Sequence, residues 1–136
     1  MCSKFGEDTT TMEVVEGISL NGYEVIVTGG ITGIGVETLR VFEKAVPIVF
    51  YVQEIWKNGH QVSKELVKSK GNDQIEVELL VLNSLESEDN FVQKLLAKNR
   101  MLNILINKAG VLACPISFTK NGFETQFGIN YLGHYA

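Results

Sequence analysis

Thr28-Gly29-Gly30-Ile31-Thr32-Gly33-Ile34-Gly35 is the stretch on which the fold reading turns. Before it runs Tyr23-Glu24-Val25-Ile26-Val27, and after it Val36, Leu39, Val41 and Phe42 recur at helical spacing up to about Ala45. An apolar run, a glycine cluster and a 3.6-residue periodicity read as strand, tight turn and helix.

The pattern repeats down the chain. Ile48 to Val52 is a continuous β-branched and aromatic run, the mark of a strand buried on both faces, and Pro47 stands at its start, where a missing N–H is tolerated. His60 to Lys70 carries Val62, Leu66 and Val67 among polar residues and ends at Gly71, which predicts an amphipathic helix. Ile75, Val77, Leu79 and Val81 alternate with Glu76, Glu78 and Leu80 as a third strand. Ser84 or Ser87 is expected to cap a helix with Glu88 and Asp89 in its first turn and a buried stripe of Phe91, Val92, Leu95 and Leu96. Leu102 to Ile106 is the fourth expected strand, and Asn121-Gly122-Phe123-Glu124 reads as a capping box for a last helix with Phe123, Phe127 and Tyr131 on one side.

Strand and helix alternating in this way predict an α/β fold: a Rossmann-like, doubly wound parallel sheet, cut short after about four strands. Residues 1–20, poor in apolar periodicity, are expected to form an N-terminal arm without core, and 21–136 a partial Rossmann domain. A ligand in such a sheet sits at the carboxyl ends of the strands.

Composition narrows the function classes. Apolar residues make up 45% and charged residues 21% of the 136, as in ordinary globular chains. The net charge of −4 is dispersed, with no basic cluster to follow a nucleic acid backbone. The longest apolar run, Ala45 to Val52, is half or less of the ~20 residues that span a bilayer. The polar N-terminus lacks a secretory pattern, so a cytoplasmic location and no membrane partner are expected. Cys2 and Cys114 show no metal-ligand spacing and are expected to be reduced and structurally plain, and no metal site is expected.

The glycine turn itself points to phosphate. Gly29 permits a tight turn, Gly33 lets backbone approach a pyrophosphate, and Gly35 lets the helix pack close to the sheet. The free N–H groups and positive end of the helix then attract the anion. The Gly-x-x-x-Gly-x-Gly spacing after Thr28 resembles the fingerprint of the short-chain dehydrogenase/reductase family. Asn107-Lys108-Ala109-Gly110 and the run from Thr119 to His134, which includes Asn130-Tyr131-Leu132-Gly133-His134, add to the likeness. The last run is similar to the retinol-dehydrogenase-like and WW-domain-oxidoreductase-like branch, and the resemblance covers about Gly17 to Ala136.

The resemblance implies NAD or NADP as cofactor and hydride transfer between an alcohol and a carbonyl as chemistry. It assigns cofactor contacts to Gly29, Ile31, Thr32, Gly33, Ile34, Gly35, Gln53, Asn107, Ala109 and Gly110, and places Asn130 at the Asn of the family's catalytic Asn-Ser-Tyr-Lys tetrad. His60 and His134 fall outside the tetrad and are expected to have surface or packing roles.

The chain also departs from the family. Tyr23, Tyr51, Tyr131 and Tyr135 are its only tyrosines, and none is followed four residues on by Lys. That spacing puts both side chains on one helix face, where the Lys lowers the Tyr pKa. The Ser that would bind a substrate carbonyl is absent with them. Gln53 offers a neutral amide where relatives carry a charge for the adenosine ribose, with Glu54 beside it as a possible ribose contact favouring NAD. Val81 stands for an adenine-contacting Asp, and Lys108 for the second Asn of Asn-Asn-Ala-Gly. Weak cofactor binding and no turnover by the chain alone are therefore expected. The fourth strand, as an apolar edge, is expected to promote homo-oligomers or aggregation. Three functions stay open: the cofactor half of an oxidoreductase, a catalytically dead nucleotide-binding or interaction protein, and a pseudogene-like product.

Overall fold

The computed structural model describes residues 5–30, 33–45, 48–53 and 75–136. The expected His60 to Lys70 helix, His60, Cys2, Ile31, Thr32 and Glu54 lie outside the described residues, as does the side chain of Gln53.

Four parallel strands form the sheet: β1 (Glu24–Thr28), β2 (Ile48–Gln53), β3 (Ile75–Leu79) and β4 (Ile104–Ile106), in the order β3-β2-β1-β4. Strand order reverses between β1 and β4, which places a crevice at their carboxyl ends.

Each residue of β1 is buried, because the strand feeds two cores. Val25 and Val27 point to one face and pack with Leu39 of α2 (Ile34–Ala45), with Leu20, Phe42, Ile104 and Ile106 around them. Ile26 points to the other and meets Leu80, Leu82, Ile129 and Phe91 of α3 (Leu85–Ala97). Covering both faces of a parallel sheet explains why the strand reads as an unbroken apolar run. Each such side chain contributes about 1.5–3 kcal/mol by burial.

Several expectations are corrected. The N-terminal arm holds a short helix, α1 (Thr11–Val14), closed by a capping box in which Thr10 Oγ1 accepts from Glu13 N and the Glu13 carboxylate accepts from Thr10 N. It buries nothing, yet Leu20 behind it reaches the core. β3 ends at Leu79 rather than Val81, and its Glu76 and Glu78 turn toward the basic end of α3. Lys98 pairs with Glu76 and Glu78, Lys94 with Glu78, and Arg100 with Glu76 and Glu24. That pairing leaves Val77 and Leu79 on the exposed side of the alternation.

β4 spans Ile104–Ile106, shorter than expected, since Asn103 takes a bridging role: its Oδ1 accepts from Glu24 N at 2.8 Å and its N–H donates to Glu24 O at 3.0 Å. In α3 Glu88 and Phe91 are buried and Leu95 is half-buried, while Val92 and Leu96 are exposed. Ser84 holds the N-cap position without a side-chain cap bond, and Ser87 Oγ instead accepts from Val81 N at 2.9 Å.

Asn121 does not open the last helix. Its Oδ1 accepts from Leu85 N at 3.0 Å, tying down the start of α3, and Glu124 caps the last helix by accepting from Gln126 N and Phe127 N. That helix comprises α4 (Thr125–Phe127), a π turn (Gly128–Leu132) and α5 (Gly133–Tyr135) in direct succession. Phe127, Tyr131 and Tyr135 stack along its outer side, with ring centroids 5.4 and 6.1 Å apart.

Candidate functional site

The crevice at the carboxyl ends of β1 and β4 is built on one hydroxyl. Thr28 Oγ1, at the end of β1, accepts from Lys108 N and Ala109 N, each at 2.9 Å, and lies 3.0 Å from His134 Nε2. With both lone pairs taken, the hydroxyl proton must go to Nε2, so His134 is neutral and carries its ring proton on Nδ1, 3.4 Å from Asn130 O. Burial pushes the His134 pKa down, against the raising effect of the Asn130 carbonyl. Thr28 thereby joins β1, the turn after β4 and the last helix. Thr28→Val leaves the Ala109 amide and an imidazole nitrogen without partners, the Lys108 amide keeping its 3.1 Å bond to Ile106 O, and is expected to cost about 1–3 kcal/mol. Thr28→Ser should keep most of that stability in urea unfolding; equal losses for both would remove the hydroxyl from the account.

The glycine turn closes on this hub. Gly29 has φ +67°, and a Cβ there would lie 2.8 Å from Ala109 Cα. A side chain at Gly35, in the first turn of α2, would run into the Gly29 carbonyl. The two glycines thus hold β1, α2 and the turn after β4 in backbone contact.

Asn130 sits in the π turn, a local widening of the helix that often accompanies functional positions. Its amide pairs with the backbone of Val111 on both atoms, Oδ1 accepting from Val111 N and Nδ2 donating to Val111 O, each at 2.8 Å. A Cβ at Gly110 would lie 3.1 Å from Asn130 Oδ1. The fold therefore assembles Gly29, Gly35, Ala109, Gly110 and Asn130 into one contiguous set. Ile34 is exposed at the start of α2, Gly33 is exposed before it, and Asn107 is exposed past the end of β4. Gln53 ends β2, opposite Leu79. Lys108 Nζ reaches back to the Gly29 carbonyl at 3.2 Å.

Sequence reading gave His134 a surface or packing role and Glu88 a place in a helix's first turn, and the structure specifies both further. The packing role expected of His134 takes the form of its bond to Thr28. Glu88 lies 6% exposed between α3 and the last helix, both carboxylate oxygens buried and without a hydrogen-bond partner. Its spacing with Phe91 and Leu95, three and seven residues on, was the signal that the side chain faces inward. Among the described residues, no group of three or more His, Cys, Asp or Glu is placed to hold a metal, and no helix is long and apolar enough to cross a membrane. Cys114 is a half-buried free thiol.

Comparison with known proteins agrees with this architecture. The family model for short chain dehydrogenase matches residues 24–136. Retinol dehydrogenase 12 of Mus musculus is 38% identical over 118 residues, 87% of this chain and 37% of its own length. Short-chain dehydrogenase TIC 32 A, chloroplastic, of Brassica napus is 34% identical over 133 residues, 98% of this chain and 42% of its own. The chain thus spans well under half the length of these curated relatives. A crystal structure of an uncharacterised protein from Mycobacterium paratuberculosis superposes with a TM-score of 0.74 at 28% identity, covering 93% of this chain and 43% of that one. A Pseudomonas aeruginosa RhlG/NADP active-site complex, with a TM-score of 0.65 at 23% identity over 86% of this chain and 45% of that one, shares the fold. By the family match and by a parallel sheet wound around a Thr-capped glycine turn, this chain belongs to the short-chain dehydrogenase family.

Proposed function

We propose that the chain is the dinucleotide-binding portion of an NAD(P)-dependent short-chain oxidoreductase, and that these 136 residues bind cofactor weakly without turning it over. The observation that carries this reading is the glycine turn between β1 and α2, where Gly29 and Gly35 close backbone on backbone while nothing lies within 4 Å of a Cβ added at Gly33. A turn drawn tight by two glycines and left open over a third, beside a helix N-terminus, fits a pyrophosphate. Gly29, Gly33, Ile34 and Gly35, with Ile31 and Thr32, would hold the phosphates, Gln53 the adenosine ribose, and Asn107, Ala109 and Gly110 the nicotinamide side. The cofactor would supply or accept a hydride; Asn130 would hold the helix against the loop after β4.

No Tyr in the chain stands four residues before a Lys, so the proton relay of the family chemistry is missing from these residues. Losing general acid–base assistance removes roughly 10²- to 10⁴-fold in rate. Isothermal calorimetry with NADH and NADPH is expected to show binding weakened by Gln53, Val81 and Lys108, and no heat at millimolar cofactor would end this reading. β4 pairs with β1 along one side, and Leu105, Met101 and Leu102 are exposed next to it. We infer that this face drives self-association. Size-exclusion chromatography should show oligomers or aggregate; a clean, stable monomer would count against it.

A further inference from the structure

We propose that Glu88 and Asn83 form a proton-operated latch. A proton on Glu88, shared with Asn83, seats the last helix against α3, and its loss frees the helix that carries Asn130 and His134 into the crevice.

Among the described residues, the buried side-chain nitrogen and oxygen atoms without a hydrogen-bond partner are Asn83 Oδ1 and both carboxylate oxygens of Glu88. The two residues line one cavity, between the start of α3 and the last helix, which Thr119, Phe123, Gly128 and Gly133 help to close. An ionised Glu88 makes all three oxygens acceptors that face no donor. One proton on Glu88 supplies the missing donor to Asn83 Oδ1, directly or through one water, which is about what the cavity holds.

The last helix sits too close for the carboxylate to be hydrated in place. A Cβ at Gly133 would lie 2.6 Å from Leu82 O and 3.0 Å from Glu88 Oε1, and one at Gly128 would run into the Thr119 side chain. The charged group beside Glu88 on its own helix is Asp89, which adds to burial in holding the carboxyl up to about 7. Asn83, Thr119 and Asn121 around the cavity are neutral, and Glu86 and Lys120 line a second groove. On the last helix His134 is turned to Thr28 Oγ1 at 3.0 Å, and Asn130 holds the Val111 backbone at 2.8 Å. One helix thus joins the Glu88 seat to the crevice.

Opening returns Glu88 to an ordinary 4.5, so between about 4.5 and about 7 it releases a proton and is favoured as pH rises. His134, whose folded pKa is lowered, takes up a proton on opening below 6.5 and opposes that trend. Amide hydrogen exchange of the full 136-residue chain from pH 5 to 8, with Glu88→Gln as reference, cancels the His134 contribution. The opening constant of the Gly133–Tyr135 amides in wild type, divided by that in Glu88→Gln, is expected to rise about tenfold per pH unit and to level off near 7. β1 should stay more protected throughout. Glu88→Leu, with no proton to lose, should give the same pH profile as Glu88→Gln. Asn83→Ala, which removes the acceptor, should level off at lower pH. Sodium chloride in place of tetramethylammonium chloride should leave the ratio unchanged. A ratio that does not move with pH would overturn the latch. So would last-helix amides that exchange together with β1 at every pH, since the chain would then open only as a whole. An unchanged plateau in Asn83→Ala would remove Asn83 and overturn it, and a ratio flattened by sodium alone would make a cation the occupant and overturn the proton.

Discussion

Glu88→Gln is expected to raise the stability of the chain at pH 8 by on the order of 3 kcal/mol and to change it little at pH 5. Glu88 is buried between α3 and the last helix, with Gly133 so close that a Cβ there would lie 3.0 Å from Oε1. Burial first, and the neighbouring Asp89 charge second, push its carboxyl up to about 7 from an ordinary 4.5. In that window the folded chain holds a proton that the unfolded chain has released. Below about 4.5 both states are protonated and burial of Glu88 costs nothing extra; as pH rises toward about 7 the cost accumulates, and above that it is constant. A neutral amide of the same shape never incurs it.

His134 works in the opposite sense. Its folded pKa is lowered, so the unfolded chain binds more protons just below 6.5, and the stability it contributes is complete above that value and is lost as pH falls. Urea unfolding of both proteins between pH 5 and 8 separates the two effects. Wild type should lose stability across the interval, whereas Glu88→Gln should stay level or gain slightly. Parallel curves for the two proteins would show that the Glu88 carboxyl finds a partner when ionised. An effect of this size is a large share of the 5–15 kcal/mol on which folded domains rest.

Gly29→Ala should cost about 2–5 kcal/mol. An L side chain at positive φ costs about 1–2 kcal/mol, and forcing a methyl into closed packing about 1–3 kcal/mol more. Both costs apply, since Gly29 has φ +67° and its Cβ would lie 2.8 Å from Ala109 Cα. Gly33 provides the control. Its φ is +52°, yet nothing lies within 4 Å of its added Cβ, so Gly33→Ala should show the backbone cost alone. Equal losses for the two variants in urea unfolding would mean that the approach of β1 to the turn after β4 is not rigid. Gly29→Ala should also abolish nucleotide binding where Gly33→Ala only weakens it, because the first displaces the crevice wall.

Periodicity and glycine placement were enough to determine the parallel strands, the helices that follow β1 and β3, and the place of the glycine turn after Thr28. Those features are local: each follows from the spacing of neighbouring residues, and an unbroken apolar run such as Val25-Ile26-Val27 has one stable placement, a strand covered on both faces. Element ends were less legible. β4 starts at Ile104 because Asn103 bonds to Glu24, and the last helix starts at Thr125 because Asn121 is drawn to Leu85. Both side chains act on backbone remote in sequence, and no window of neighbouring residues contains that partner.

Tertiary structure alone decided the chemistry of single groups. Thr28 reads as a family residue ahead of a glycine turn, but its three partners come from positions 108, 109 and 134. Glu88 reads as a favourable first-turn acid, and the arrival of the last helix over it turns that acid into a buried, unpartnered carboxyl. Hydrogen bonding and desolvation depend on what the rest of the chain brings within a few ångströms. The fold was therefore written in the order of residues, and the states of Thr28, Glu88, Lys108 and His134 were set only when distant segments closed around the crevice and the last helix.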